Sequence, residues 1–404
     1  MLGIVSLFAP SSVNAPLTTD RPLAGYPRRA VLSVVDARSS DDDRRVWATV
    51  VVAWGLVWAF VSRIGGMYSW HYFITGGQLL IHPEWSQGGL HLFATHPELQ
   101  MGPLTMVVAA GVVGTVGPGL SSWIAGALML ALGALDVWFL ALLAPGPRLR
   151  RWVVSALVVI PAWSVLAVHY GHLDDVLALS FMSAGLLLAR RRQSWPAAVA
   201  IGLAAAAKPW ALPMLFLAWG EREHRVKRLT LGFVVSVLPW LPFIIGDPRT
   251  MHISSFVIKN AADSALRVWG VTDPMTPWWC RFAQLGLGAL FAWYAARAGR
   301  IEWIPLAVIA SRLVIDPGTY LYYTSGLVLA ALAVDLSGGR RRPRLALVAS
   351  GWLFVDLVLK WLHLPLVAGP VRAAFLVGLL ALFVVVVSRR ATVSPRRVSP
   401  VGVR

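Results

Sequence analysis

The stretch WVVSALVVIPAWSVLAVHYGHLDDVLALSFMSAGLLLA, residues 152–189, indicates the kind of fold, because it joins two apolar runs through a short polar segment. The runs at 152–168 and 175–189 are long enough to cross a bilayer as helices. Between them, two histidines and two adjacent acids lie in His169-Tyr170-Gly171-His172-Leu173-Asp174-Asp175. Ionisable side chains at membrane depth are costly, and they usually line a cavity or a pathway. This segment is therefore a candidate functional site.

The same apolar pattern recurs along the whole chain. Of its 404 residues 57% are hydrophobic and 14% are charged, and the mean hydropathy is +0.66. A soluble protein carries about 25% charged residues. The sequence therefore predicts an all-α fold, a polytopic transmembrane helical bundle. The further apolar runs lie near 46–64, 103–118, 120–143, 196–219, 229–246, 280–296, 301–314, 320–336, 345–362 and 371–387.

Basic residues gather in short loops between the apolar runs. The chain has 36 Lys and Arg against 19 Asp and Glu, which gives a net charge of +17. Clusters at 148–151, 190–192 and 340–342 are typical of the positive-inside rule, by which cytoplasmic loops retain Lys and Arg. They also suit contact with anionic lipid. We therefore expect this charge to face the lipid bilayer, and we expect no nucleic acid as a partner.

Composition divides the chain into three parts. Residues 1–45 contain Pro, Ser and Arg with an acidic and basic run at 41–45, and they lack the apolar core of a signal peptide. We expect a disordered cytoplasmic tail at 1–45, a transmembrane domain at 46–388 and a basic cytoplasmic tail at 389–404. The single cysteine, Cys280, excludes an intramolecular disulfide and a cysteine metal cage.

The basic loops also constrain the topology. One crossing per apolar run would place the clusters at 148–151 and 190–192 on opposite sides of the membrane. Two adjustments restore agreement. The Gly-rich segment 103–118 is predicted to lie on the outer face or to dip into it. The run 196–219 is predicted to break at Lys208-Pro209, because Pro removes a backbone hydrogen bond and Lys is costly at membrane depth.

With both adjustments, 196–219 becomes two half-helices that enter and leave on the cytoplasmic side, with Lys208 at their apex. All basic clusters and both termini are then cytoplasmic, and the protein is a multi-pass protein of the cell membrane. The candidate site lies on the extracytoplasmic face. The segments on that face are 65–119, 169–175, 247–279, 315–320 and 363–370.

Asp174 and Asp175 permit two interpretations. Acids in the first turn of a helix are favoured by the helix dipole, so they can simply cap the helix. Two acids exceed the need of a cap, and His169 and His172 add groups that titrate near neutrality. A carboxylate here can act as a general base, orient an acceptor hydroxyl or hold a divalent metal. The role of Lys208 also has two interpretations. Its ammonium group can bind the phosphate of a lipid carrier, or it can form an ion pair with a carboxylate such as Asp175.

Three further groups are candidates for binding. His71 lies in Trp70-His71-Tyr72-Phe73, where aromatic residues can also be membrane anchors. The second group, His96-Pro97-Glu98-Leu99-Gln100, holds His96, Glu98 and Gln100, which are donors and acceptors suited to sugar hydroxyls. The third group runs from Arg312 to Tyr323 and contains Asp316 and Tyr322. Its Asp-Pro-Gly sequence is also a good turn in its own right.

Other ionisable residues within the apolar runs have structural explanations. Asp356 and Lys360, spaced i and i+4, are expected to neutralise each other. Asp136 is expected to bond neighbouring helices. The sequence contains no phosphate-binding Gly-rich loop, Walker-type sequence or HExxH. A lipid-phosphate-linked donor would supply both energy and activated substrate to such a chain.

These motifs, in this order, resemble the GT-C superfamily of integral membrane glycosyltransferases, and most closely the actinobacterial polyprenol-phosphate-mannose-dependent group, glycosyltransferase family 87. The resemblance covers about residues 46–390. The quoted motifs are His96-Pro97-x-x-Gln100-x-Gly102-Pro103-Leu104, Gly171-His172-x-Asp174-Asp175, Ala207-Lys208-Pro209-Trp210, and Asp316-Pro317 ahead of Tyr322-Tyr323, together with a large first outer loop.

The resemblance implies transfer of a sugar, expected to be mannose, from a polyprenyl-phosphate donor to a glycan or glycolipid acceptor. It implies an inverting reaction on the outer face with no metal and no cofactor. Lys208 would hold the lipid phosphate, with Arg312 as second choice. Asp174 and Asp175 would bind or deprotonate the acceptor. The residues that position sugar hydroxyls would be His71, His172 and Gln100.

One position departs from the family pattern. The acid in the family's first outer loop aligns with Ser69 here. Glu84, Glu98 or the Asp174/Asp175 pair takes its role, or catalysis is impaired. Two alternatives therefore stay open. The first is a transporter or flippase of lipid-linked glycans, which inverted repeats would favour although no convincing internal symmetry is visible. The second is a catalytically impaired partner of an active transferase.

Overall fold

The computed structural model describes residues 41–391 except 65, 85, 145–147, 221, 256 and 339–342. Within the described residues the regular structure is helical, and the extended backbone forms a single isolated bridge between Lys259 and Met275. The predicted all-α fold is therefore confirmed. The helices are α1 (Asp41–Arg63), α2 (Trp70–Ile81), α3 (Leu92–Thr95), α4 (Pro103–Ala141), α5 (Arg148–Ser164), α6 (Leu173–Arg190), α7 (Ser194–Ala207), α8 (Arg225–Val237), α9 (Leu241–Gly246), α10 (Ala265–Val268), α11 (Trp279–Arg297), α12 (Ile304–Leu313), α13 (Tyr323–Ser337), α14 (Arg344–Trp361) and α15 (Pro365–Ala391).

Four helical stretches in the described part of the chain are long and apolar enough to cross a membrane: Pro103–Ala141, Arg151–Tyr170, Arg225–Gly246 and Pro365–Arg389. Shorter apolar helices accompany them at Ala48–Arg63, Ser194–Ala207, Pro209–Ala218 and Tyr323–Ser337. These lengths and compositions are those of a helical membrane protein. The number of crossings and the side on which each loop lies remain predictions.

The first helix begins inside the segment expected to be a disordered tail. α1 starts at Asp41, four residues before the boundary expected at residue 45, and that boundary stays a prediction. The rest of that tail, 1–40, and the tail segment 392–404 lie outside the described residues.

A sharp break divides α4. Gly117 has φ 73° and ψ 162°, a conformation that favours glycine, and Pro118 follows it at the start of the second part. The separate runs predicted at 103–118 and 120–143 are thus two helical pieces joined at Gly117. Whether the first piece lies on the outer face stays a prediction.

The predicted break at Lys208 is present. α7 ends at Ala207, Lys208 is extended with φ −146° and ψ 112°, and a 3-10 helix runs over Pro209–Ala218. The two arms are each about 20 Å long by their rise per residue. The ends of the two arms that are farthest from Lys208 lie close together. A Cβ added at Gly220, after the 3-10 helix, would lie 2.7 Å from the hydroxyl oxygen of Ser194, the first residue of α7. The chain therefore enters and returns as a hairpin with Lys208 at its apex.

Two buried helices place the candidate site inside the bundle. Every residue of α6 from Leu173 to Ser180 is buried, and α13 is buried from Thr324 to Leu336. A helix that is buried on all sides belongs to the protein core. α6 packs against α4 and α7, and α13 packs against α12 and α14. The start of α6 is thereby brought next to the apex of the α7 hairpin.

Candidate active site

The chain changes direction just before the two acids. A π-helical turn, Val165–Tyr170, follows α5, and Gly171 then adopts the left-handed conformation with φ 63°. A side chain at position 171 would also meet Met67 and Trp70, so glycine is required here for conformation and for space. The reversal places Asp174 and Asp175 in the first turn of α6. Single π-helical turns of this kind are frequent at functional sites.

Asp174 lies at the centre of a buried ion-pair cluster. Its Oδ1 atom accepts from His172 Nδ1 at 2.5 Å and from the backbone N–H of Asp175 at 2.9 Å. Its Oδ2 atom pairs with Lys208 Nζ, and the side chain is fully buried. Lys208 Nζ also lies 3.5 Å from Asp175 Oδ2. The ion pair that the sequence left open as an alternative for Lys208 is therefore present in the structure.

Asp175 extends this cluster toward the next helices. Trp210 Nε1 donates to Asp175 Oδ1 at 2.9 Å, and Arg312 Nη1 lies 3.9 Å from the same oxygen. Arg312 Nε in turn lies 3.3 Å from Asp316 Oδ2. The backbone N–H of Gly318 donates to Asp316 Oδ1 at 2.8 Å, so the Asp-Pro-Gly turn and the ion pair occur together.

A cleft opens beside Asp175. Arg312 lies 4.6 Å from the Tyr323 ring centroid and 5.3 Å from that of Trp210. Tyr322 stacks on His172 with a centroid distance of 4.1 Å, which links the cleft wall to the cluster. The lining residues are Asp175, Leu179, Trp210, Ile309, Arg312, Leu313, Tyr322, Tyr323 and Gly326. The cleft thus combines an acid, a cation and aromatic rings.

The start of the first predicted outer loop lies against the cluster. The backbone N–H of Tyr68 donates to the His169 carbonyl at 3.1 Å, and that of Ser69 donates to the Tyr170 carbonyl at 2.8 Å. Phe73 meets the His172 ring edge-on with a centroid distance of 6.3 Å. Position 69, where the family pattern has an acid, is therefore adjacent to the segment that carries the site.

The end of that loop docks on the hairpin apex. The backbone N–H of Gly102 and the hydroxyl of Thr105 both donate to the Ala207 carbonyl, at 2.9 Å and 3.2 Å. Gln100 Oε1 accepts from Arg281 Nη2 at 2.7 Å. Sequence reasoning missed Arg281, although a lone arginine in the first turn of the apolar helix α11 was the available signal.

Three predicted site residues have local partners instead. His71 is exposed, and its Nδ1 lies 2.7 Å from the Tyr68 carbonyl. His96 Nδ1 pairs with Glu98 Oε1 at 2.9 Å. Among the described contacts, neither His71 nor the His96–Glu98 pair touches the cluster. The same holds for Glu84, one of the candidate replacement acids, which is exposed and pairs with His82 at 2.9 Å.

His172, Asp174 and Asp175 offer donor atoms within 4.8 Å of one another, a spacing that suits a metal ion. The Lys208 ammonium already lies against both carboxylates and would repel a divalent cation placed among them. The two carboxylates are therefore better described as partners of Lys208 and His172 than as metal ligands. That no metal takes part in the reaction remains a prediction.

Comparison of the chain with family models, with curated proteins and with solved structures gave no match. The GT-C resemblance thus rests on the motifs of the sequence.

Proposed function

We propose that this protein is a GT-C-like membrane glycosyltransferase that moves a sugar from a polyprenyl-phosphate donor to a lipid or cell-envelope glycan acceptor. The observation that carries the proposal is the position of Asp175, between the buried Lys208 cluster and a cleft that also contains Arg312. A carboxylate and a fixed cation on one cleft are what a glycosyl phosphate and an incoming hydroxyl require. Mannose is the sugar that the family resemblance implies.

The two neighbouring acids have different surroundings and different proposed roles. Both oxygens of Asp174 are taken by His172, the backbone and Lys208, so Asp174 serves structure and holds the lysine. Asp175 Oδ2 accepts no hydrogen bond from the described residues, with His172 Nδ1 at 3.2 Å and Lys208 Nζ at 3.5 Å. Asp175 is therefore the acid whose oxygen can still accept a hydrogen bond. We assign it to the hydroxyl of the molecule that receives the sugar.

The phosphate is better assigned to Arg312 than to Lys208. Lys208 is committed to two carboxylates, and releasing it would leave both of them buried without a partner. Arg312 has five N–H donors, of which the described ion pairs involve Nε and Nη1. The adjacent Tyr323 and Trp210 rings restrict its plane. The order of preference expected from the sequence is thus reversed in this proposal.

The proposed reaction is an inverting displacement. The acceptor oxygen forms a bond to the anomeric carbon while the bond from that carbon to the phosphate oxygen breaks. The acceptor proton moves to the Asp175 carboxylate. The polyprenyl phosphate leaves as an anion, and the Arg312 guanidinium stabilises the negative charge that develops on it.

Asp175→Asn tests the proposal, with Asp136→Asn as a matched control. Asn at position 175 can still accept from Trp210 but cannot take a proton, so transfer from labelled polyprenyl-phosphate-mannose should fall about 100-fold or more. Asp136 is equally buried, accepts from Ser180 at 2.8 Å and does not line the cleft. Its variant should retain transfer. Undiminished transfer by Asp175→Asn would contradict the assignment.

A further inference from the structure

The segment that follows α12 is irregular and carries Asp316. α12 ends at Leu313, and carbonyl groups at the end of a helix lack partners within that helix. In a helical membrane protein these carbonyls need donors from other parts of the chain, because lipid supplies none. Asp316 Oδ2 lies 3.3 Å from Arg312 Nε. The donors that hold this segment therefore bear on the position of the Arg312 guanidinium.

The backbone just before the acid is held by side chains from two other elements. The indole Nε1 of Trp269, which follows α10, donates to the Val314 carbonyl at 2.7 Å. The Ile315 carbonyl accepts from Cys280 Sγ at 3.0 Å and from Gln284 Nε2 at 3.3 Å, both in α11. Two successive carbonyls are thus fixed by donors that lie far away in the sequence.

The backbone after the acid is held in the same way. The Pro317 carbonyl accepts from the backbone N–H of Ala261 at 2.9 Å. The Thr319 carbonyl accepts from Lys360 Nζ, at the end of α14. Lys360 Nζ also lies 3.4 Å from Asp356 Oδ2, which confirms the pair expected from the sequence. Lys360 therefore does more than neutralise that carboxylate, because it also ties α14 to this segment.

We propose that Trp269 and Lys360 are positioning residues for the transfer reaction. They hold the backbone on either side of Asp316, whose carboxylate orients the Arg312 guanidinium toward the donor phosphate. The inference rests on the proposed function, in which Arg312 binds that phosphate. A guanidinium binds phosphate through a planar fork of N–H donors, so the direction of its plane affects the affinity.

The test measures binding, so that it does not depend on turnover. A fluorescent polyprenyl phosphate is titrated against the full-length protein in nanodiscs. Trp269→Phe keeps an aromatic ring and removes the indole N–H, so the dissociation constant should rise about fivefold, which corresponds to one hydrogen bond. Lys360→Met should raise it as well. Trp54→Phe is the matched control, since Trp54 Nε1 donates to the Leu157 carbonyl at 3.1 Å and does not line the cleft.

A second background separates positioning from general destabilisation. In Arg312→Lys, a compact point charge replaces the planar fork, so no plane is left to orient. This variant should bind the phosphate more weakly than the wild type. Adding Trp269→Phe or Lys360→Met to it should have no further effect on the dissociation constant.

Weaker binding by Trp269→Phe and Lys360→Met only when Arg312 is present, with Trp54→Phe unchanged, supports the inference. Equal effects in both backgrounds, an equal effect of Trp54→Phe, or no effect in either background overturns the inference and leaves the proposed function in place. Wild-type protein that does not bind the polyprenyl phosphate overturns the donor class of the proposed function, and the role of Arg312 with it.

Discussion

At the scale of residues, the helices that pack around Asp174 and Asp175 give these two adjacent side chains different surroundings. The pattern of ionisable residues between apolar runs predicted the pair. The cost of a lysine at membrane depth left two alternatives for Lys208, a lipid phosphate or an ion pair with a carboxylate such as Asp175. The division between Asp174 and Asp175 could not be predicted. It depends on Trp210 and Arg312, which are 35 and 137 positions away from Asp175 and reach it only through tertiary packing.

Replacing Lys208 with methionine should destabilise the protein. Asp174 is fully buried and would lose its cation, and breaking a buried pair costs about 3–5 kcal/mol. The double variant Lys208→Met, Asp174→Asn should recover part of the lost stability, because the buried carboxylate is removed together with its cation. Unfolding in detergent measures each change, with exposed Lys259→Met as the control. If the Lys208→Met variant were as stable as the wild type, the ion pair between Lys208 and Asp174 would not stabilise the fold.

At the scale of elements, the hairpin of α7 and Pro209–Ala218 shows what a local pattern can predict. Lys208-Pro209 marked the break, because neither residue suits the middle of a membrane helix. That the second arm is a 3-10 helix was not predicted, since its sequence is apolar throughout and carries no helix-type signal. The docking of the first outer loop on Ala207 was also not predicted, because it brings together residues about a hundred positions apart.

Gly102→Ala should weaken that docking. The backbone angles at Gly102, φ −69° and ψ 155°, suit alanine, but an added Cβ would overlap the Ala206 carbonyl oxygen. Backbone cannot move aside as a flexible side chain can, so the expected cost is about 1–3 kcal/mol. Thermal unfolding in detergent measures it. Gly111→Ala in α4 has open space around its added Cβ and should be neutral. Equal stability of the two variants would show that the loop does not depend on this close contact.

The contact between His91 and the loop after α9 should be sensitive to pH. Hydrogen bonds from Arg249, and then from His91, hold the pKa of Asp247 well below its ordinary value. A lowered folded-state pKa gives stability that is complete above the unfolded pKa of about 3.9 and is lost as pH falls below it. Asp247→Asn should therefore lower Tm at pH 7, and the difference should shrink toward pH 3. A difference that is constant with pH would contradict this role of the carboxylate.

At the scale of the whole molecule, composition predicted the fold class, because a chain with 57% hydrophobic residues cannot expose its helices to water. Most apolar runs correspond to helices within a few residues. The positive-inside pattern predicts more, namely that the loops around the candidate site lie opposite the basic loops. The placement of these loops depends on the bilayer and on the basic clusters at 148–151, 190–192 and 340–342. Most side chains of these clusters lie outside the described residues or on the surface.

Cysteine labelling of intact cells should place the two faces on opposite sides. In a Cys280→Ser background, Glu98→Cys should react with an impermeant maleimide, and Arg191→Cys should react only after permeabilisation. Both positions are exposed, so access from the side of the membrane decides the result. Reaction of both residues in intact cells would invalidate the predicted topology and the outer location of the site.

The proposed transfer reaction can be tested by reconstituting the protein in liposomes with labelled polyprenyl-phosphate-mannose and a panel of glycolipid acceptors. Product formation and movement of the intact donor across the bilayer are followed in the same vesicles. We expect label to appear on an acceptor, and we expect this transfer to disappear in Asp175→Asn while Asp136→Asn retains it. Donor that binds or crosses the bilayer intact, with no label transferred to any acceptor, would contradict the proposed transfer.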